Sequence, residues 1–451
     1  VAIHSARLDF SSMIDSLAHT EGNPPVYFAL LDGWMRLFGG SEAAVRSLSA
    51  VFGTATILLA YELGRRLATR RIGLVLAALV AFNPLLVWFS QEARPYALLV
   101  LLSGLSFLLF AEALERPSGR VLGGWAVASG LALGTHYFAA LLIVPELAWL
   151  VARVRPRKRL VPAVAGFAVV PLALIPLVAT QGEVQDYSFV KGEGLATRVA
   201  AQVPKQWLVG YDTPAEAVTV VVAAAGVALA LWLVLTRSEG RERRAARLGG
   251  AVGLAALALA LVLAVFGADY YLSRYLLAAW LPLALVVAAG LGARRSGRVG
   301  LAVTAVLCAV FVFVVVSVSA RPELQRDDWR GIARTLGSPD GPRAIVVSPI
   351  NGRRPLGLYL PGLTTLSPAG ATVNEIDAVA VAPRVPGETR RAPALPPTSP
   401  PPGFRVVARH QGKTFSVVRY RRGAFVRVTP VALAGLSLAP GTPDYVVQPG
   451  P

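Results

Sequence analysis

The chain has 451 residues, 55% of them hydrophobic, a formal net charge of +18 and a mean hydropathy of +0.57. This apolar content excludes an ordinary soluble domain, and the charge does not call for nucleic acid. Most of the excess arginine lies in short loops between apolar stretches, where anionic lipid headgroups are its natural counterpart. The single cysteine, Cys308, excludes a disulfide framework and a cysteine metal cluster.

Residues 1–42 read as an extracytoplasmic loop with juxtamembrane helices. No apolar span precedes them, so a signal peptide or an earlier helix is expected upstream of Val1. Asn23-Pro24-Pro25 opens an apolar-rich segment ending near Gly39, with Asn23 suited to the N-cap and Pro24 to the first helical position. His19 and Glu21 stand beside it as candidates for binding substrate or metal, or as part of a solvated loop before a capped helix.

About ten apolar stretches follow, each near the ~20 residues that a helix needs to cross a bilayer. They run over 43–64, 72–90, 95–113, 121–136, 138–152, 160–180, 216–236, 248–267, 275–292 and 299–319. Alternate loops are arginine-rich, carrying Arg65, Arg66, Arg70 and Arg71; Arg116 and Arg120; Arg153 to Arg159; Arg237 to Arg247; and Arg294 to Arg298. The positive-inside rule makes these loops cytoplasmic and puts the intervening loops and the chain ends outside.

Three outer loops carry chemistry. In Gln91-Glu92-Ala93-Arg94-Pro95-Tyr96 the proline holds Arg94 out of α geometry and starts the next helix, whose positive end beside Arg94 suits a phosphate; the alternative is a structural Arg94–Glu92 pair. Thr135-His136-Tyr137 interrupts an apolar run at the outer boundary, where His136 reads as functional or as an interhelical hydrogen bond and Tyr137 as a cavity residue or an interfacial anchor. Asp269 to Tyr275 places Arg274 at a helix amino end, opposing the macrodipole by ~0.3–1 kcal/mol, which a nearby anion or a lipid headgroup would offset. Gln185, Asp186, Tyr187 and Lys191, in the long loop from Gln181, are candidates for a substrate groove or a solvated loop.

Beyond Ala320 the pattern turns to alternating polar and apolar residues with many prolines, predicting a small extracytoplasmic α/β domain over 320–451. A helix is expected over Asp327 to Leu336, and strands over Arg343 to Ser348, Asp377 to Ala382, Phe404 to Arg409 and Thr414 to Tyr420. Pro383 to Pro402 reads as a proline-rich linker or long loop, and the tail beyond Pro430 is expected to be poorly ordered.

Gly22-Asn23-Pro24-Pro25-Val26-Tyr27-Phe28, Arg36-Leu37-Phe38-Gly39, Ser90 to Tyr96, Thr135-His136-Tyr137-Phe138, Ser273-Arg274-Tyr275-Leu276 and Asp327-Asp328-Trp329-Arg330 occur in that order. With them the chain resembles the polyprenol-dependent membrane glycosyltransferases of the GT-C superfamily, specifically the family-39-like group with the RgtA/B/C/D-type domain. The resemblance implies a polytopic helical fold with its multi-span transferase domain over 43–319, and an inverting transfer of a sugar from a polyprenyl-phosphate donor to a cell-envelope acceptor on the outer face. It also implies an acidic general base in the first outer loop. The family's Asp-Glu pair is absent here and is expected upstream of Val1; Asp9 and Asp15 do not take its place.

On this reading Glu21 and Glu92 are the catalytic candidates, Arg94, Arg274 and Tyr275 bind the donor phosphate, and His19, Asn23, Tyr27, Tyr96, His136 and Tyr137 contact substrate. No metal-ligand cluster is visible, and a requirement for a divalent cation is left open, as are the sugar and the acceptor. A lipid-linked substrate flippase or transporter would also explain the spans, although it normally places charges near the midplane. A noncatalytic scaffold presenting the outer domain is the other alternative, and it leaves Glu92, Arg94 and Arg274 without a role.

Overall fold

The structure is a computed structural model that describes residues 2–20, 22–184, 193–348, 352–383, 390–395 and 400–450. The chain divides into two compact units, Val1–Val315 and Val316–Pro451.

The first unit is helical: α1 Phe10–Thr20, α2 Val26–Phe38, α3 Glu42–Leu67, α4 Arg70–Phe82, α5 Pro84–Ser90, α6 Tyr96–Glu115, α7 Gly119–Thr135 and α8 Ala140–Arg153. Then come α9 Val161–Val184, α10 Val203–Val209, α11 Glu216–Arg237, α12 Gly240–Val265, α13 Trp280–Gly292 and α14 Gly297–Ala320. Local chemistry sets the boundaries. The Ser41 side chain accepts from the Ala44 N–H at 3.2 Å, Glu42 occupies the first turn of α3, and Arg65 and Arg66 the last, each sign matching the helix dipole. Gly64 and Gly73 let α3 and α4 touch backbone to backbone, since a Cβ on Gly64 would stand 2.6 Å from the Gly73 Cα.

Among the described residues six helices are long and apolar enough to cross a membrane, α3, α6, α9, α11, α12 and α14, or seven if α4 and α5, bent by 61°, form one broken span. The protein is therefore an integral multi-pass membrane protein, with fewer full-length spans than the ten expected. The stretches expected at 121–136, 138–152 and 275–292 fold as α7, α8 and α13, of 17, 14 and 13 residues. At 1.5 Å per residue such helices fall short of the ~30 Å hydrocarbon thickness. Hydropathy cannot tell such core helices from spans; α13 is buried along most of its length, from Trp280 to Gly292. The span expected at 72–90 breaks at Asn83, whose Oδ1 accepts from the Leu85 and Leu86 N–H groups at 3.1 Å each while its Nδ2 donates to the Trp207 carbonyl at 2.9 Å. Asn23 does not cap α2: that helix starts at Val26 with Pro25 at the cap position and no side-chain cap bond.

Arginines of three of the arginine-rich loops meet at the ends of α3 and α6. Arg65 and Arg66 pair with Glu62, Arg66 also lies 3.5 Å from Glu112, Arg244 is 3.3 Å from Glu115, Arg295 pairs with Glu239, and Arg241 donates to the Arg66 carbonyl.

The second unit is a six-stranded sheet in the order β2-β6-β1-β3-β5-β4. Its strands are β1 Arg343–Ser348, β2 Thr364–Thr365, β3 Ala371–Val381, β4 Arg405–Gln411, β5 Phe415–Val428 and β6 Asp444–Gln448, with β1 and β3 parallel and every other pair antiparallel. One face packs Ile345, Val347, Val379 and Val417 against Ile332 and Leu336 of α15, Trp329–Leu336. The other packs Val346, Ile376, Val418 and Tyr420 against Leu433, Leu436 and Leu438. The tail expected to be poorly ordered thus supplies part of a core and an inner strand. β6 has only five residues, and its pairing with β1 and β2 rather than its own periodicity makes it a strand.

Arg343 is fully buried at the open end of α15, where it donates to the Leu336 and Gly337 carbonyls at 2.7 and 2.8 Å, to Asp377 at 3.2 Å and to Gln448 at 2.7 and 3.0 Å. Arg419 adds a 2.8 Å bond to Asp377, and Arg421 one of the same length to Glu375. Burial pushes the Asp377 carboxyl up to about 6 against the pull of Arg419 and Arg343.

Candidate active site

Three connections of the helical unit meet. The first is 91–95, between α5 and α6. The Gln91 and Glu92 amides close onto the Trp88 and Phe89 carbonyls at 3.2 and 3.3 Å, and Pro95 holds the αR cap before Tyr96 begins α6. Arg94 is exposed and Glu92 half-buried.

The second is His136. It ends α7 in extended geometry (φ −159°, ψ 127°), and its Nδ1 accepts from the Phe138 N–H at 3.3 Å. The ring is only 2% exposed, and its Nε2 has no hydrogen-bond partner among the described residues.

The third is the loop between α12 and α13, which carries Arg274 and Tyr275. Arg198, itself buried, anchors it by donating to Asp269 and, at 3.0 Å, to the Tyr271 carbonyl. Ser273 donates to Gln206, lies 3.4 Å from the Tyr211 hydroxyl, and offers its carbonyl to Trp207 Nε1 at 3.1 Å.

Aromatic rings join the three. Centroids lie 5.6 Å apart for Tyr96 and His136, 5.9 Å for His136 and Tyr275, and 4.4 Å for the stacked Phe138 and Tyr275. The Arg274 guanidinium lies 5.0 Å from the Tyr275 ring centre. Burial works against the Arg274 charge, but the Tyr96, Tyr275 and Tyr211 hydroxyls more than offset it and hold its pKa above the ordinary value. Arg94 and Arg274 both act electrostatically on Tyr96 and His136, and Glu92 acts on Tyr96 and Tyr27. Glu92, Arg94, Tyr96, His136, Arg274 and Tyr275 therefore share one neighbourhood.

The other expected residues go elsewhere. His19 is largely exposed on α1, with Nδ1 2.9 Å from the Asp15 carbonyl and 3.5 Å from its carboxylate. Tyr27 is sealed in the core against α3, 3.0 Å from the Ser49 hydroxyl, within electrostatic reach of Glu92 and Arg94 but with its hydroxyl turned to Ser49, and burial pushes that hydroxyl up to about 12. Asn23 and Tyr137 form a separate polar cluster around Gln181, whose Nε2 donates to the Leu17 and Asn23 carbonyls at 3.0 and 3.4 Å while its Oε1 accepts from Tyr137 at 2.8 Å. Glu21, Gln185, Asp186, Tyr187 and Lys191 lie outside the described residues. Among the described residues no group of three or more His, Cys, Asp or Glu is placed to hold a metal ion.

Sequence reasoning missed Arg198, Gln206, Trp207 and Tyr211. The paired aromatics Trp207 and Tyr211 in a predicted outer loop were the signal available for the last two. Nothing local marks Arg198, whose meaning comes from Asp269, 71 residues away.

The family described as dolichyl-phosphate-mannose-protein mannosyltransferase matches residues 22–179, about a third of the chain, from the Asn23 loop into α9. The fold is similar to the crystal structure of ArnT from Cupriavidus metallidurans bound to undecaprenyl phosphate, with TM-score 0.51 and 14% identity over 93% of this chain and 89% of that one. Also similar are ArnT of the same organism in the apo state (TM-score 0.39, 16% identity, 93% and 89% covered) and the arabinosyltransferase EmbB from Mycobacterium smegmatis (TM-score 0.34, 16% identity, 74% and 29% covered). No curated protein sequence matches significantly. The chain is thus similar to that mannosyltransferase family over residues 22–179 and shares the ArnT fold over most of its length.

Proposed function

We propose that the chain transfers a sugar, with inversion, from a polyprenyl-phosphate donor to a cell-envelope acceptor at the extracytoplasmic face of the membrane. What supports this reading is that Arg94 and Arg274 both act on the wall formed by Tyr96, His136 and Tyr275, with His136 at the end of α7 opposite Arg120. By the positive-inside rule the arginine-rich end is cytoplasmic, so the site and the sheet unit face outward.

In the reaction the acceptor oxygen attacks the anomeric carbon, the bond from that carbon to the phosphate oxygen breaks, and its electron pair leaves on the polyprenyl phosphate. Arg94 and Arg274 are suited to the negative charge that grows there, and their effect is enlarged where water is excluded. The acceptor's proton passes to a carboxylate. Glu92 is the candidate within the described cluster, and Glu21 is the second. Tyr96 and Tyr275 stand beside the two arginines as candidates for contact with the donor; His19, Asn23 and Tyr137 are kept as candidates for substrate contact away from the reacting carbon.

The test is release of free polyprenyl phosphate by the purified chain from a panel of polyprenyl-phosphate sugars. No release from any donor, with the protein folded, would sink the reading. For orientation, Arg94→Cys should react with an impermeant thiol reagent added from outside and Arg243→Cys should not. The reverse pattern would overturn the assigned face.

A further inference from the structure

His136 carries a hydrogen bond left unmade. Its Nδ1 accepts from the Phe138 N–H, so that nitrogen holds its lone pair inward and a neutral ring must carry its proton on Nε2. That Nε2 is buried, has no hydrogen-bond partner among the described residues, and is walled by the rings of Tyr96, Phe138 and Tyr275. A buried N–H without an acceptor costs free energy that the fold does not recover here.

We propose that His136 is a neutral hydrogen-bond donor to an oxygen of the donor's phosphate, presenting Nε2–H to the leaving group while Phe138 fixes its tautomer. The proposal rests on the function proposed above and gives this residue a role within it. The nearest charges acting on the ring are Arg274 and Arg94, both positive. Two cations and one N–H donor select an oxyanion. They repel a metal ion and disfavour a ring that would have to take up the acceptor's proton. His136 is therefore neither the general base nor a metal ligand.

The tautomer yields a test with conservative variants. Gln places an amide N–H near the position of Nε2, whereas Asn places its amide near Nδ1 and leaves the outer position empty. In the purified full-length chain, His136→Ala and His136→Asn should weaken undecaprenyl phosphate binding and lower kcat by about tenfold to a hundredfold, as expected for one hydrogen bond to a charged group. His136→Gln should recover most of both. If His136→Gln binds undecaprenyl phosphate normally but transfers as poorly as His136→Ala, the ring is a base and the proposal fails. Normal binding and transfer by His136→Ala, with the wild type active, would also overturn it while leaving the proposed reaction intact. A wild-type chain that binds no undecaprenyl phosphate would remove the reaction and this role together. Inorganic phosphate and phosphatidylglycerol vesicles serve as competitors. Displacement of undecaprenyl phosphate by either at comparable concentration would assign the site to free phosphate or bulk lipid and refute the donor assignment. Should His136→Ala not fold, the contrast between the Gln and Asn variants still decides.

Discussion

His136 and Arg343 are both polar side chains sealed inside apolar packing, and their surroundings treat them oppositely. Each guanidinium nitrogen of Arg343 is bonded, to two carbonyls at the end of α15, to Asp377 and to Gln448. The Nε2 of His136 has no hydrogen-bond partner among the described residues. A completed buried network serves the fold, because removing one member strands the others. An incomplete one, walled by aromatics and flanked by two cations, is arranged for something that arrives later. An unmade bond is not by itself the mark of function, since Glu146 Oε1 and Glu375 Oε1 also lack hydrogen-bond partners among the described residues; at His136 it coincides with an aromatic wall and two arginines that act on the ring.

Four measurements would break or sharpen that contrast. The largest effect is expected at Arg274: Arg274→Ala should lower sugar transfer by about 10²–10³-fold, the usual cost of one lost oxyanion stabiliser, with little change in melting temperature. Transfer at the wild-type rate would make this arginine a lipid anchor. Arg343→Ala should reverse the pattern. It strands the Asp377 carboxylate and the carbonyls ending α15 and should destabilise the sheet unit by about 3–5 kcal/mol. Rapid proteolysis beyond residue 316 with the helical unit still resistant would report this, and a variant as resistant as the wild type would contradict it.

Glu146 tests the rule within the helical unit. It is fully buried on α8, where its Oε2 accepts from Ser106 at 2.6 Å and from Trp125 Nε1 at 2.9 Å while its Oε1 has no hydrogen-bond partner among the described residues. Glu146→Gln keeps an acceptor there and should melt near the wild type, whereas Glu146→Leu leaves the indole N–H unmatched at a cost of about 1–3 kcal/mol. Equal melting of the two variants would show that these bonds contribute nothing.

The smallest effect is a pH dependence. The folded Asp377 carboxyl lies at about 6, above its unfolded value near ~3.9, so the native state binds the extra proton between those values. Its stabilising contribution is present in full below about 4 and is lost as pH rises through about 6. The melting temperature of the wild type relative to Asp377→Asn should therefore fall across that window. A rise would mean that Arg343 and Arg419 outweigh burial.

Much of this was legible in the sequence, because the relevant physics is local. Apolar run length marked the six full spans, arginine bias marked the end where Arg66, Arg244 and Arg295 gather, and β-branched alternation marked the central strands β1, β3 and β5. The loops worth attention were marked too, since charged and aromatic residues at the mouths of apolar stretches are costly without purpose. Only the tertiary structure decided the rest. Helices α7, α8 and α13 fall short of spans, although their apolar content is that of spanning helices. β6 became an inner strand because β1 and β2 flank it. Tyr27, His19, Asn23 and Tyr137 were separated from Tyr96, His136, Arg274 and Tyr275 by packing alone: Ser49 holds the first, Asp15 the second and Gln181 the last two of the separated set. Hydrophobicity and propensity are sums over neighbours in the chain, whereas a site is a set of partners distant in sequence, and the partners decide whether a buried polar group is satisfied or waiting.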